Sequence, residues 1–394
     1  MKVLVLGMGL QGKAVVHDLE RCAMVREIVV ADLNHEEIRS QIVRDRLHKT
    51  TALKINAGDY AQLCSGIRHS AADIVVCMLP PEFGYPVARA CIENRVPFVS
   101  SSYTGRIEEL DIEARDKGVV ILPEMGMDPG IDLLLGKKAL SELDRVEGLY
   151  SYGAGLPEPA AANNVLNYKI TWRFDGVLNA YQRPARYLED GEVHALDGRD
   201  IFHPDNLHRV SVDGLGNLQA YRNGDATHYI PMFGLGDDLK HMGRFAMRYP
   251  GHAEFWYKLI QLGLTEDTPF ATNGTSISPR RFLIDFLTPK MQFEAHERDV
   301  AVIRVTAWGQ RNGAVGGVTY ELVDYRDLTS GLFAMNRTVG FTTSIGAQMI
   351  LSGAISTPGV LSPIGDVDPD AVIGELVKRG MQVRRQPFDQ NGIP

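Results

Sequence analysis

Cysteine is scarce in this chain. The 394 residues hold four, Cys22, Cys64, Cys77 and Cys91, all in the first quarter and none spaced as Cys-x-x-Cys. That spacing excludes a disulfide framework and leaves the four as reduced, small, mostly buried side chains. Metal-ligand patterns are missing too. His203 and His208 lie five apart in a polar stretch, His241 and His252 stand alone, and no His-Glu-x-x-His occurs, so no metal is expected. There is no Gly-x-Ser-x-Gly elbow and no complete P-loop signature, since Ala14 follows Gly12-Lys13 where a Ser or Thr is needed, which removes the commonest signatures of serine hydrolases and nucleotide triphosphatases. Basic residues are not in excess: 41 Lys and Arg face 49 Asp and Glu, a net charge of −8. A nucleic-acid partner would call for a clustered basic face, so none is expected. Long apolar runs are absent as well. The uncharged stretch Val339–Thr357 carries Thr, Ser, Gly and Gln, which suits a packed helix rather than a membrane span. The short run Val3–Leu6 has no basic segment before it and no small-residue cleavage site after it, so the expected compartment is the cytoplasm.

What the chain does contain is an ordinary globular composition, 44% hydrophobic and 23% charged, with room for two or three domains. The first 125 residues alternate apolar runs with helical stretches. The expected strands are Lys2–Leu6, Glu27–Ala31, Ala52–Asn56, Asp73–Met78, Pro97–Ser101 and Val119–Leu122; the expected helices are Lys13–Glu20, Tyr85–Glu93 and Ile107–Asp116. Near-continuous Val, Ile and Leu marks parallel strands covered on both faces, and the alternation marks a doubly wound α/β sheet. After Asp128 the pattern changes. Runs at Val146–Tyr152, Asn217–Tyr221 and Val300–Trp308 read as antiparallel strands, with turn signals at Asp213-Gly214 and Asn223-Gly224 and helices at Ile131–Glu142, Ala253–Leu262 and Pro279–Phe286. From about Thr338 a helical pattern returns. The expected division is residues 1–127 as a dinucleotide-binding domain, 128–337 as an α+β substrate and dimerisation domain, and 338–394 as helices packing back on the first.

The stretch Val3–Asn34 holds the clearest motif. Gly7, Gly9 and Gly12 follow a strand and open a helix. In this setting the first glycine permits a tight turn, the second lets the backbone approach a pyrophosphate, and the third lets helix and strand pack closely. Leu10 and Gln11 complete the loop at the helix N-terminus, where free N–H groups favour an anion. Asp32 ends the second strand, with Leu33 beside it, where an acid accepts hydrogen bonds from the adenosine ribose. An Asp there repels a 2′-phosphate, so the expected cofactor is NAD; Arg39 and Arg44 downstream keep NADP open. Met78, Leu79 and Pro80 end the fourth strand and would wall the cofactor, or would simply be the strand's exit.

Chemistry-bearing residues sit at the carboxyl ends of the next strands. Ser101 and Tyr103 follow the fifth, with Ser101 near the cofactor and Tyr103 as a candidate proton donor. Asp128-Pro129 follows the sixth. Asp128 reads either as a helix cap with Pro129 at the first helical position, or as a carboxylate for proton transfer or for holding a substrate amine. Arg248 and His252, in "RYPGH", would clamp a carboxylate and orient substrate, or would be a helix-entry turn; Arg173 is a second carboxylate candidate.

The stretches "VLGMGLQGKA", "SSYTGRIEELDIEARDKGVVILPEMGMDPGIDLLLGKKAL", "GLPEPAAANNVLNYKITW", "RPARYLEDGE" and "RYPGHAEFWYKLIQLGL" resemble the saccharopine dehydrogenase family, including its lysine 6-dehydrogenases, over nearly the whole length. The resemblance implies a Rossmann domain, an inserted catalytic and dimerisation domain, a C-terminal return, a homodimer, and reversible hydride transfer between a nicotinamide and a carbon bearing an amine in a small amino-acid substrate. It implies catalytic roles for Tyr103 and Asp128. The family's cysteine would fall at Gly153, which lacks the thiol. "RPARYLEDGEV" is closer to the lysine 6-dehydrogenase branch and "GLPEPAAANN" to the saccharopine branch. The expected reaction is therefore oxidation of the lysine side-chain amine, with an opine-type dehydrogenase as the alternative and a non-catalytic redox sensor as the reading from another class.

Overall fold

The computed structural model describes every residue, Met1–Pro394. The chain forms two compact units, each discontinuous in sequence: Met1–Leu135 with Asn336–Met381, and Gly136–Met335 with Gln382–Pro394. The chain passes from one to the other inside the helices Ile131–Leu140 and Ala334–Leu351, and again after Met381. No helix is long and apolar enough to cross a membrane.

The first unit is built on a seven-stranded parallel sheet. Its spatial order is Gly359–Val360, Val120–Leu122, Phe98–Ser100, Ile74–Cys77, Lys2–Leu6, Glu27–Asp32, Thr50–Lys54. The order reverses between Lys2–Leu6 and Ile74–Cys77, and ligands of such sheets bind outside the carboxyl ends at that switch point. Val3–Leu6, Ile28–Ala31 and Ile74–Cys77 are buried, which explains their near-continuous apolar sequence. The third strand lies earlier than its composition suggests. Asn56 is drawn into a turn by accepting from Gly58 N at 3.0 Å, so the strand closes at Lys54. The helix Gly12–Arg21 buries Ala14, Val15, Val16 and Leu19. Helix Tyr60–Ser70 starts at Asp59, whose side chain accepts from Gln62 N at 3.1 Å, and ends at left-handed Ala71.

Within this unit the second part of helix Ala334–Leu351 lies against the start of the chain. Thr343 Oγ1 donates to Met125 O at 2.7 Å. Asp18 accepts from Ser344 Oγ (2.7 Å), Gln348 Nε2 (2.9 Å), and Arg379 Nε and Nη2 (2.7 and 3.0 Å).

The second unit is built on a mixed nine-stranded sheet. Seven strands run in the order His208–Val212, Gly216–Arg222, His241–Arg248, Arg145–Pro157, Asp299–Arg311, Ala314–Tyr325, Gln382–Asp389. The hairpin Ala185–Glu189 and Glu192–Leu196 joins through His241–Arg248. Only His241–Arg248 and Arg145–Pro157 pair in parallel. One core packs on the sheet around Tyr152, Leu156, Phe245 and Val302. A second gathers Tyr168, Tyr181, Phe202, Trp256 and Ile260 from the helices and connections.

Two turn expectations separate here. Asp213-Gly214 closes the hairpin of His208–Val212 and Gly216–Arg222, with Gly214 at φ +78°. Asn223-Gly224 does not close one. Its backbone is taken by the neighbouring hairpin, with Arg186 N donating to Gly224 O (3.1 Å) and Ala226 N to Arg186 O (2.8 Å), and the helix Tyr229–Met232 intervenes before the next strand. The helical return also stops early. Gly380, at φ +92°, follows helix Pro369–Lys378, and Gln382–Asp389 then pairs with Ala314–Tyr325 as a strand.

Candidate active site

The three glycines at the switch point do three different jobs. Gly7 takes φ +90°, and a Cβ there would press on Met78 O and Leu79 Cδ2, each at 3.1 Å. A Cβ on Gly12 would stand 2.2 Å from Gly7 O, so the helix closes on the turn only without one. A Cβ on Gly9 would meet nothing within 4 Å. Gly9 is therefore not required by packing; it borders open space at the helix N-terminus. Gln11 O starts the helix by accepting from Ala14 N (3.0 Å) and Val15 N (3.3 Å), and Leu10 is exposed. Asp32 ends its strand and holds Asn34 N through Oδ1 at 3.0 Å, with exposed Leu33 between them. Unfilled space before helix N–H groups and a carboxylate at the neighbouring strand end suit a dinucleotide's pyrophosphate and adenosine ribose. Met78 and Leu79 lie against Gly7, and Pro80 leads into the turn Pro81–Phe83. Arg39 and Arg44 are exposed on helix His35–Arg44 and lie near Glu36 and Asp45.

Farther along the same sheet edge, the segments after two strands run side by side. Met125 N donates to Ser100 O (2.9 Å) and Glu124 N to Ser102 O (3.0 Å). A Cβ on Gly126 would meet Ser101 Cβ and O at 3.0 Å, so Ser101 is pressed against the Gly126–Gly130 turn. Tyr103 is 41% exposed. The turn is closed by Gly126 N to Pro129 O (3.0 Å), and Gly130 at φ +141° leaves no room for a side chain, its Cβ position lying 2.2 Å from Gly126 O. This corrects the capping alternative for Asp128. The Asp128–Pro129 peptide is cis and the helix starts at Ile131; Gly130 O accepts its first bond, from Leu134 N at 3.0 Å. Asp128 sits in the turn before the helix, with Pro129 outside it.

Glu124 is the residue that sequence reasoning missed. Its side chain is buried (1% exposed), its φ is +62°, and its Oε1 accepts from Thr104 N at 3.3 Å. A left-handed non-glycine residue costs about 1–3 kcal/mol, and a buried carboxylate adds several more before its partners repay it. The available signal was position: an acid two residues after the all-apolar strand Val120–Leu122, at the carboxyl edge.

In the second unit, Arg248 and His252 come together and Arg173 does not join them. Arg248 is buried, donates to Met247 O (2.8 Å) and Tyr181 OH (3.3 Å), and lies 5.5–5.9 Å from the rings of Tyr168, Tyr181 and Tyr221. These neighbours are neutral, which is unusual for a buried guanidinium. His252 Nε2 shares a 2.7 Å hydrogen bond with Tyr181 OH. Burial, and then the nearby Arg248 charge, hold its imidazole well below the ordinary value, so it is neutral. Arg173 is exposed beside Asp175. Gly153 lies mid-sheet between Ala246 and Ile303.

Two family models match this chain: "Saccharopine dehydrogenase NADP binding domain" over residues 3–122 and "Saccharopine dehydrogenase C-terminal domain" over residues 126–381. Among curated proteins, the bovine mitochondrial alpha-aminoadipic semialdehyde synthase is 27% identical, over 98% of this chain and 48% of that protein. This chain thus spans about half the length of the mammalian relatives it matches. The Saccharomyces cerevisiae saccharopine dehydrogenase [NADP(+), L-glutamate-forming] is 26% identical, over 77% of this chain and 82% of the yeast protein. The solved apo structure of the saccharopine dehydrogenase (L-Glu forming) from Saccharomyces cerevisiae has a TM-score of 0.85 at 24% identity, covering 98% of this chain and 99% of that one; it shares the fold.

Proposed function

Because this chain belongs to the saccharopine dehydrogenase family, we propose that it is a nicotinamide-dependent oxidoreductase that oxidises the carbon–nitrogen bond of an amino acid, with a saccharopine-type secondary amine as substrate. The observation that carries this reading is the single sheet edge that holds the Gly7–Gly12 cradle, Ser101, Tyr103 and the Asp128 turn in one unit. The named activities of the fungal relatives support the substrate class.

A bound nicotinamide supplies the hydride acceptor. Gly7, Gly9, Leu10, Gln11 and Gly12 seat the pyrophosphate, Asp32 and Leu33 the adenosine ribose, and Met78, Leu79, Pro80 and Ser101 line the way to the nicotinamide. Asp128 holds the substrate nitrogen and takes its proton as hydride leaves the adjacent carbon. The resulting imine adds water, and the carbon–nitrogen bond breaks to give an aldehyde and a free amine. Tyr103, on the exposed segment beside it, donates or relays the proton that the leaving amine needs. Arg248, in the second unit, is a buried cation among neutral phenols, which suits it to an anion such as a carboxylate. Neutral His252 fixes the Tyr181 hydroxyl that Arg248 touches. Arg173, exposed beside Asp175 in the same unit, is a second candidate cation for a carboxylate.

The dinucleotide is NAD or NADP. Asp32 favours NAD, whereas the matched family model and the fungal relatives are named for NADP; exposed Arg39 and Arg44 are within the same helix that follows Asp32. A second substrate reading, lysine with release of ammonia, is favoured by Gly153, where the family's cysteine thiol is missing. A homodimer is part of the same proposal. The test is initial rates with NAD and with NADP on L-saccharopine, L-lysine and L-ornithine. Turnover with saccharopine supports the leading reading, turnover with lysine alone moves the chain to the deaminating branch, and tight binding of reduced dinucleotide with no turnover overturns both in favour of a sensor.

A further inference from the structure

Two unfavourable features meet at one residue, and that residue is bonded to the segment that carries Tyr103. Glu124 is a buried carboxylate on a left-handed backbone. Four residues later in the chain lies Asp128. Across the sheet edge, Glu124 is tied at both ends to the segment that carries Tyr103: its N–H donates to Ser102 O at 3.0 Å, and its Oε1 accepts from Thr104 N at 3.3 Å. These two bonds bracket Tyr103 on either side. A short aliphatic side chain at this position would keep the first bond and lose the second. A glycine would relieve the backbone and also lose the second. Strain retained where a cheaper residue would fold is the mark of a functional constraint.

We infer that Glu124 is a positioning residue that sets the Tyr103 segment through the Thr104 amide, and so fixes the Tyr103 hydroxyl relative to the Asp128 turn. The inference rests on the catalytic role proposed above for Tyr103. The bond from Thr104 N needs an acceptor oxygen, which the isosteric amide also offers.

Three variants test it together: Glu124→Gln, Glu124→Gly and Tyr103→Phe, each assayed for kcat, KM, reduced-dinucleotide affinity and Tm. The expected result is a Glu124→Gln enzyme close to wild type, because its side-chain oxygen still accepts from Thr104. Glu124→Gly is expected to match or exceed the wild-type Tm, because glycine adopts φ +62° without strain. Its kcat is expected to fall about 100-fold, the loss that a misplacement near 1 Å brings, with dinucleotide affinity unchanged. A Glu124→Gly protein with wild-type kcat overturns the inference. So does a kcat that falls only in step with a falling Tm, or one that falls equally in Glu124→Gln. If Tyr103→Phe keeps full kcat, the role of Tyr103 itself is overturned; if Tyr103→Phe loses kcat and Glu124→Gly does not, only the positioning role fails.

Discussion

Gly340 and Ala14 touch so closely that a methyl added to Gly340 would stand 2.6 Å from the Ala14 methyl, and 2.8 Å from Gln11 O. Gln11 O is the carbonyl that starts the helix behind the glycine cradle. The returning helix and the dinucleotide loop therefore share one packing surface inside the first unit. Gly340→Val is expected to destabilise the protein by about 1–3 kcal/mol through overpacking. Denaturant unfolding checks this, and Gly374→Val is the control, since Gly374 also lies within a helix and a Cβ there meets nothing within 4 Å.

Asp18 clasps the same helix. Its carboxylate binds the Arg379 guanidinium at two points and also accepts from Ser344 and Gln348. The pair is largely buried, with side-chain exposures of 10% and 16%. Removing Asp18 leaves the Arg379 guanidinium with Glu375 alone, and Ser344 and Gln348 without this acceptor, so the loss sits at the low end of the roughly 3–5 kcal/mol that breaking a buried pair costs. Asp18→Leu should lose about that much, and Asp18→Leu with Arg379→Met should recover part of it; equilibrium unfolding of the two proteins gives the comparison.

Gly9 separates binding from folding. Its Cβ position is open, whereas that of Gly12 collides with Gly7 O. Gly9→Val should keep Tm near the wild-type value and weaken dinucleotide binding by about tenfold or more, about 1.4 kcal/mol. Gly12→Val should fail to fold. Fluorescence titration with reduced dinucleotide, alongside thermal melts, distinguishes the two.

Asp299 gives the second unit a pH signature. Burial pushes its carboxyl up to about 7, although the amides of Ala334 (2.7 Å) and Met335 (3.1 Å) pull the other way. A folded value above the unfolded one, about 3.9, means that the native state holds the proton more tightly. Its contribution is full below pH 4 and is lost as pH rises to about 7. The stability of wild type relative to Asp299→Asn should fall across that window and level off above it, as urea titrations at several pH values would read.

Much of the first unit was legible in the sequence because its signals are local. A glycine triplet after an apolar strand and an acid at the next strand's end need only neighbours in the chain to be read. The strand runs are apolar because both faces are covered, and the residues themselves carry that information. What was illegible depends on distant partners or on backbone sign. Glu124 reads as an ordinary surface acid until φ +62° and its Thr104 contact are known. Asp128-Pro129 has the composition of a helix start, but Gly130 two residues on moves that start to Ile131. Arg248 and His252 are adjacent in a motif, yet what joins them is Tyr181, far away in sequence. Asn223-Gly224 carries the right dipeptide for a hairpin, and a neighbouring strand claims its backbone.

Replacing Asp128 addresses the proposed chemistry without touching the cradle. Asp128→Ala should lower kcat by about 100- to 10,000-fold, the range of a lost general acid–base group, with dinucleotide affinity intact. An Asp128→Ala protein that loses dinucleotide binding together with its Tm would make the residue structural.

The most direct measurement uses saccharopine deuterated at the lysine-derived carbon that bears the secondary amine, incubated with the protein and oxidised dinucleotide, with mass spectrometry of the dinucleotide product. The account predicts deuterium in the reduced nicotinamide and slower turnover than with the unlabelled substrate. Reduced nicotinamide without deuterium, or bound dinucleotide that is never reduced by any amino acid offered, would contradict it.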